Sequence, residues 1–225
     1  MTSTRLRSLA GLAVVAAVAL SGCDSVPALN GGVAARVDGD TITMDDVASK
    51  AASYCAAVET QLTGGQSAPN SVVSSEVAGA LALRSAADQF AADEGVTPDA
   101  SFKQEQDALE ANLGKLTASQ KETVREVVLA PAYVSAVELA VGKRLVSSSD
   151  AEAAKSAGQD AFAKWIDDHD VVIDPRFNIT IDGGVRGRAN TDVSFPVSKT
   201  AKTAASGEQD QTYAAGLPSS QRCGG

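Results

Sequence analysis

Apolar residues recur along most of this chain every three or four positions, the spacing that lines one face of an α-helix. The first such row is Val47, Ala51, Tyr54, Val58 and Leu62. It opens behind Thr43, with Asp46 three residues on in a capping-box-like pair and Asp45 and Asp46 at the positive end of the helix. The stretch from Thr63-Gly64-Gly65 to Pro69-Asn70 breaks the row and reads as a loop. Val73, Val77, Ala80, Leu83, Ala87 and Phe90 then predict a helix starting after Asn70 and running to about Glu94, stopped by Gly95. Thr97 before Pro98 predicts a cap with proline at the first helical position, and a shorter helix carrying Phe102, Leu109 and Leu113. Thr117 and Gln120 form a second capping box, opening a long helix with Val124, Val127, Val128, Val134, Val137, Val141 and Leu145 that Pro131 should kink. Ser149 and Glu152 predict a third box and a last helix to about Asp168, with Phe162, Trp165 and Ile166 facing inward.

Alternation replaces the helical period at both ends of this region. Val33 to Val37 and Asp40 to Thr43 flank Asp38-Gly39, the pairing expected of a type I′ hairpin. The run from Val171 to Ile181 reads as extended chain, and Pro175 makes it an edge strand or a broken one. From Asp182 to Gly225 small and polar residues dominate, with Val193 to Val197 the single apolar stretch, so a mostly irregular tail is expected. The predicted fold is mainly α: about five helices, with a small hairpin before them, an extended segment after the last helix and an irregular tail.

The first residues carry a different pattern. Arg5 and Arg7 precede an apolar run from Leu9 to Leu20 and then Leu20-Ser21-Gly22-Cys23, the three-part order of a cleavable signal peptide. The run falls short of the ~20 residues that span a hydrocarbon core. The last four residues resemble the bacterial lipobox, which implies cleavage between Gly22 and Cys23 and a covalent diacylglycerol lipid on the Cys23 sulfur. Residues 1–22 are thus expected to be a leader, 23–32 a flexible tether, 33–181 the folded body and 182–225 the tail. A membrane is the expected partner, through the lipid anchor, at the extracytoplasmic face of the cell membrane.

Charge narrows the remaining partners. Losing the leader with Arg5 and Arg7 takes the net charge of −9 to about −11. Phosphate neutralisation needs clustered Lys and Arg, so no nucleic acid is expected. With Cys23 lipidated, Cys55 and Cys223 remain, and in an oxidising compartment they either pair as a disulfide or stand as two independent thiols. His169 is the one histidine, and neither a nucleophile elbow nor a metal-ligand cluster accompanies it, so no catalytic residue, metal or small-molecule cofactor is expected. Its predicted place at a helix C-terminus suits a structural role. Gly183-Gly184-Val185-Arg186-Gly187-Arg188 lacks the ending of a phosphate loop, and Asn178-Ile179-Thr180 fits a glycosylation sequon by chance.

Ala35-Arg36-Val37-Asp38-Gly39-Asp40-Thr41-Ile42-Thr43 leading into an acidic-capped helix resembles the opening of SurA N-terminal-domain proteins, the helical chaperone fold shared with PrsA-type foldases. Val171-Val172-Ile173-Asp174-Pro175-Arg176-Phe177 is similar to the closing strand of actinobacterial lipoproteins of that group. The resemblance covers roughly Val33 to Ile181. It implies that the closing strand pairs with the opening hairpin and that unfolded or secreted proteins are the clients. The family's parvulin-type prolyl isomerase domain has no room here, because only about Ser147 to Ser149 separates the long helix from the returning one. The expectation is a non-catalytic client-binding lipoprotein. A structural or assembly lipoprotein with one dedicated cell-envelope partner is the competing expectation, and a small-ligand receptor lacks the two α/β lobes such receptors use.

Overall fold

A computed structural model describes residues 31–59, 66–146, 150–182, 184–188, 197–206 and 211–224 of the chain. The leader, Cys23 and most of the tether lie outside the described residues, as do Leu62 and Ser149. The body is mainly helical, closed by small antiparallel sheets.

Strand β1 (Val33–Val37) folds back on β2 (Asp40–Thr43) with Val37 opposite Asp40 and Arg36 opposite Thr41. The turn departs from type I′, which needs two left-handed residues: Asp38 alone takes a left-handed φ, 48°. Its N–H is engaged outside the hairpin, donating to the Asp170 carbonyl at 2.9 Å. Thr43 then caps α1 (Met44–Glu59): its hydroxyl accepts from the Asp46 N–H at 3.1 Å, and the Asp46 carboxylate accepts from the Thr43 N–H at 3.2 Å. These hydrogen bonds from the Thr43 hydroxyl and backbone hold the Asp46 carboxyl below its ordinary range.

Helix α2 (Asn70–Asp93) is the central element. The six positions of the predicted stripe are all buried, and Ala78, Ala82, Ala86 and Ala91 are buried beside them, so small residues admit neighbours on several sides. Gly95, at φ +60°, ends the helix: its N–H donates to the Ala92 carbonyl and the Val96 N–H to the Ala91 carbonyl, a Schellman motif. Helix α3 (Ser101–Glu110) begins later than Thr97-Pro98 predicts. The Asp99 carboxylate accepts from the Ser101 N–H at 3.1 Å and also holds Lys143 at 2.5 Å, so the chain turns into the helix after Asp99 rather than at Pro98.

The Thr117–Gln120 capping box opens α4 (Ala118–Val128) as expected. Pro131 does more than kink the next stretch: Leu129 ends α4 and caps α5 (Ala130–Leu145), with the proline in the first turn of α5, where its missing N–H costs nothing. Helix α6 (Ala151–Asp168) is capped by Asp150 rather than by Ser149, the Asp150 carboxylate accepting from the Glu152 and Ala153 N–H groups. A short carboxylate directly before the helix competes well with a hydroxyl one residue earlier.

Beyond His169, β4 (Val171–Ile173) pairs antiparallel with β1, placing Val37 opposite Val171 and Ala35 opposite Ile173. The sheet order is β2-β1-β4. A 3₁₀ turn over Pro175–Phe177 and a left-handed Asn178 (φ 50°) then break the extended run, and β5 (Ile179–Asp182) pairs with β6 (Val185–Arg188).

The described part of the tail is not irregular. It holds α7 (Lys199–Ser206), α8 (Gln211–Ala215) and β7 (Arg222–Gly224). Strand β7 pairs antiparallel with β3 (Ser67–Pro69), inside the stretch expected to be a loop. Composition misses this because the strand buries only one large side chain, Cys223, and borrows the rest of its order from β3 and from the disulfide.

The main core runs from β1 through α2 to α5 and α6, around Val37, Val77, Phe90, Val137 and Phe162. A satellite cluster of Ala57, Leu113, Leu116 and Val124 joins α1 to α4.

Candidate functional site

Helices α5 and α6 approach each other at the backbone. A Cβ on Gly142 would lie 1.7 Å from the Ala154 carbonyl oxygen, and one on Gly158 would lie 1.8 Å from that of Glu138. The two backbones therefore touch. Gly142 meets Ala154 while the earlier Glu138 meets the later Gly158, so the helices run antiparallel.

This contact decides where Glu138 goes. Its carbonyl is pressed against α6, and its side chain falls in a row with Pro131, Val134 and Ser135 along α5, the i, i+3, i+4, i+7 face. Those residues, with Leu83 from α2, Gln159 from α6 and Gly184 from the β5–β6 turn, line a pocket of about 330 Å³. Gly184 stands at φ +77° against the Phe162 ring, where a Cβ would lie 2.6 Å from the ring edge, so the turn roofs the helices only because it carries no side chain. A second pocket, about 420 Å³, adjoins along α5 and shares Ser135; Ser101 and Glu105 from α3 and Ala151, Glu152 and Lys155 from α6 complete it.

Glu138 is 7% exposed, and no other charged side chain among the described residues is so buried. Burial raises its carboxyl from the ordinary value near 4.5 to about 7, against the weaker opposing field of Lys155. The sequence reading missed it, although a signal was present: Glu138 sits four residues after Val134 and three before Val141, a carboxylate set into an apolar face.

Arg84 on α2 packs its guanidinium 3.4 Å from the Tyr133 ring centre, and Phe102 meets Tyr133 edge-on at 5.1 Å. Burial, and then the Asp88 carboxylate, push the Tyr133 hydroxyl up to about 12. The cluster ties α2, α3 and α5 together.

The remaining sequence candidates fall elsewhere. His169 stacks on Trp165 at 3.9 Å between ring centres, with Nδ1 2.7 Å from the Trp165 carbonyl oxygen, while the Trp165 indole N–H donates to Asp93 at 2.8 Å. That is a helix-end clasp. Cys55 on α1 and Cys223 on β7 are joined as a disulfide, their Cα atoms 5.5 Å apart, and the Glu59 carboxylate accepts from the Gly224 N–H at 3.0 Å beside them. The Cys55, Glu59 and Cys223 ligand atoms lie within 4.8 Å of one another, but sulfurs bonded to each other offer no thiolate to a metal. Gly22 and Cys23 lie outside the described residues. Among the described residues no helix is long and apolar enough to cross a membrane.

No family model matches the chain, and no match was found among the curated proteins or the solved structures.

Proposed function

We propose that this protein is a lipid-anchored, extracytoplasmic client-binding module of the SurA/PrsA type that works without a prolyl isomerase. The observation that carries the reading is the pairing of β4 with β1: the strand after the last body helix returns to close the opening hairpin, which the resemblance requires. Consistent with it, only Val146 to Asp150 connects α5 to α6, too short a span for an inserted domain. The lipid on Cys23 would hold the helical body where secreted chains emerge.

The mature protein should suppress aggregation of a chemically denatured client at near-equimolar ratio and give no acceleration of prolyl isomerisation in a peptide assay. Clear isomerase turnover would overturn the assignment. The competing reading, one dedicated envelope partner, draws support from the surface: among the described residues the exposed large apolar side chains are only Val128, Leu145, Val172 and Val197. Crosslinking in the native host separates the two, since a chaperone returns many unrelated secreted proteins and a scaffold returns one or two.

A further inference from the structure

An isolated carboxylate in an apolar site is costly and is usually neutralised or paired. Glu138 is neither hydrogen-bonded nor ion-paired among the described residues; Lys155 acts on it only through space. Yet it lines an open pocket rather than solid core. A side chain kept in such a place at the expense of stability marks a candidate binding group.

We propose that this pocket binds a primary alkylamine, with its ammonium on the Glu138 carboxylate and its stem against Leu83, Pro131 and Val134. Three features select that chemistry. The pocket, at about 330 Å³, is at the small end of ligand sites and suits a stem of lysine length. An ammonium brings three donors and no acceptor, and three acceptors line this pocket: the Glu138 carboxylate, the Ser135 hydroxyl and the Gln159 amide oxygen. A guanidinium brings five donors in a rigid fork and would leave some unmet. Charge around the site agrees. The charged residues lining the adjoining pocket are Glu105 from α3 with Glu152 and Lys155 from α6, while α2 contributes Leu83, so carboxylates outnumber cations and an anion is disfavoured.

The same ammonium could arrive on a free amine or on the lysine of a protein. This inference stands apart from the client-holding reading, since a free amine would occupy the pocket whether or not unfolded chains bind.

Calorimetric titration of the full chain with n-butylammonium chloride tests it, with n-butanol as the uncharged probe of the same stem. Saturable binding of the ammonium is expected, at least about tenfold tighter than the alcohol. Because the free carboxyl is partly protonated at pH 7 and the bound one ionised, amine binding should release a fraction of a proton to the buffer. Comparing two buffers of different ionisation enthalpy reads that release. Glu138→Gln, which keeps the shape, should weaken binding about tenfold or more and abolish the proton release, while Glu122→Gln, at an exposed position on α4 outside both pockets, should change affinity by less than about threefold. Capped Gly-Lys-Gly and its norleucine counterpart then identify the source: binding of the lysine peptide supports a protein-borne amine, and binding of butylammonium alone supports a free one. Unchanged affinity in Glu138→Gln, equal affinity for butanol, or no saturable heat up to roughly 10 mM butylammonium would overturn the proposal.

Discussion

Glu138 carries a thermodynamic signature at the scale of a single residue. Its carboxyl titrates near 7 in the folded chain, against an ordinary value of 4.5, so between those pH values the folded state holds a proton that the unfolded state has lost. Stability should therefore fall as pH rises from about 4.5 to about 7 and level off above that. The carboxyl lines an open pocket, and access to water screens the effect, so Glu138→Gln should stabilise the protein at pH 8 by on the order of 1–2 kcal/mol and change little at pH 4. Urea unfolding at the two pH values checks this; an equal shift at both would assign the gain to packing. The residue illustrates what a sequence conceals. Thr43, Thr117 and Gly95 are legible because capping chemistry is local, acting over three or four positions. The burial of Glu138 depends on Gly158, twenty residues away, being small enough for α6 to close over α5.

At the scale of elements, helical rows announced the helical segments of the body, with α4 and α5 read as one, and the other errors fall at helix starts. Thr97-Pro98 looks like a start, but Asp99, with the Ser101 N–H on one side and Lys143 on the other, begins α3 instead. Ser149 looks like a cap until Asp150 takes the same N–H groups from one residue closer. Pro131 was expected inside one long helix and instead starts a second. At Asp99 a tertiary contact to Lys143 joins the local bond, while at Asp150 and Pro131 the deciding chemistry is local. The α5–α6 pairing was illegible for another reason: its determinants are the absent side chains of Gly142 and Gly158, which leave no mark in an apolar pattern. Gly158→Ala would drive a methyl group into the Glu138 carbonyl, 1.8 Å from the ideal Cβ position, and should cost on the order of 3 kcal/mol by forcing the helices apart. Chemical denaturation would measure the loss, and a variant as stable as the parent would show that the contact is looser than described.

For the molecule as a whole, the fold class could be read from residues 33–181 and the hairpin closure was implied by the resemblance, while the described order in 197–224 could not be read. That part is organised by long-range partners rather than by its own periodicity: β3 supplies a ladder to β7, and Cys55 supplies a covalent bond across 168 residues. Loop closure of that length contributes at most about 5 kcal/mol in the chain-entropy model, and a short strand at one end argues for less. Replacing Cys55 and Cys223 by serine should lower stability by about 2–4 kcal/mol and let a protease trim β7 while leaving α2 to α6 intact. A fragment pattern identical to the parent would mean that β7 holds without its bond.

The pairing of Cys55 with Cys223 also sets a timetable for the newborn chain. At about 5–20 residues per second, the 168 residues between the two sulfurs keep a ribosome occupied for roughly 10–30 s. Throughout that interval α1 can already be wound, yet its thiol has no mate. An oxidant that acted early would find Cys55 without Cys223 and could couple it only to Cys23 or to a foreign thiol, so correct pairing favours oxidation that waits for the far end of the polypeptide.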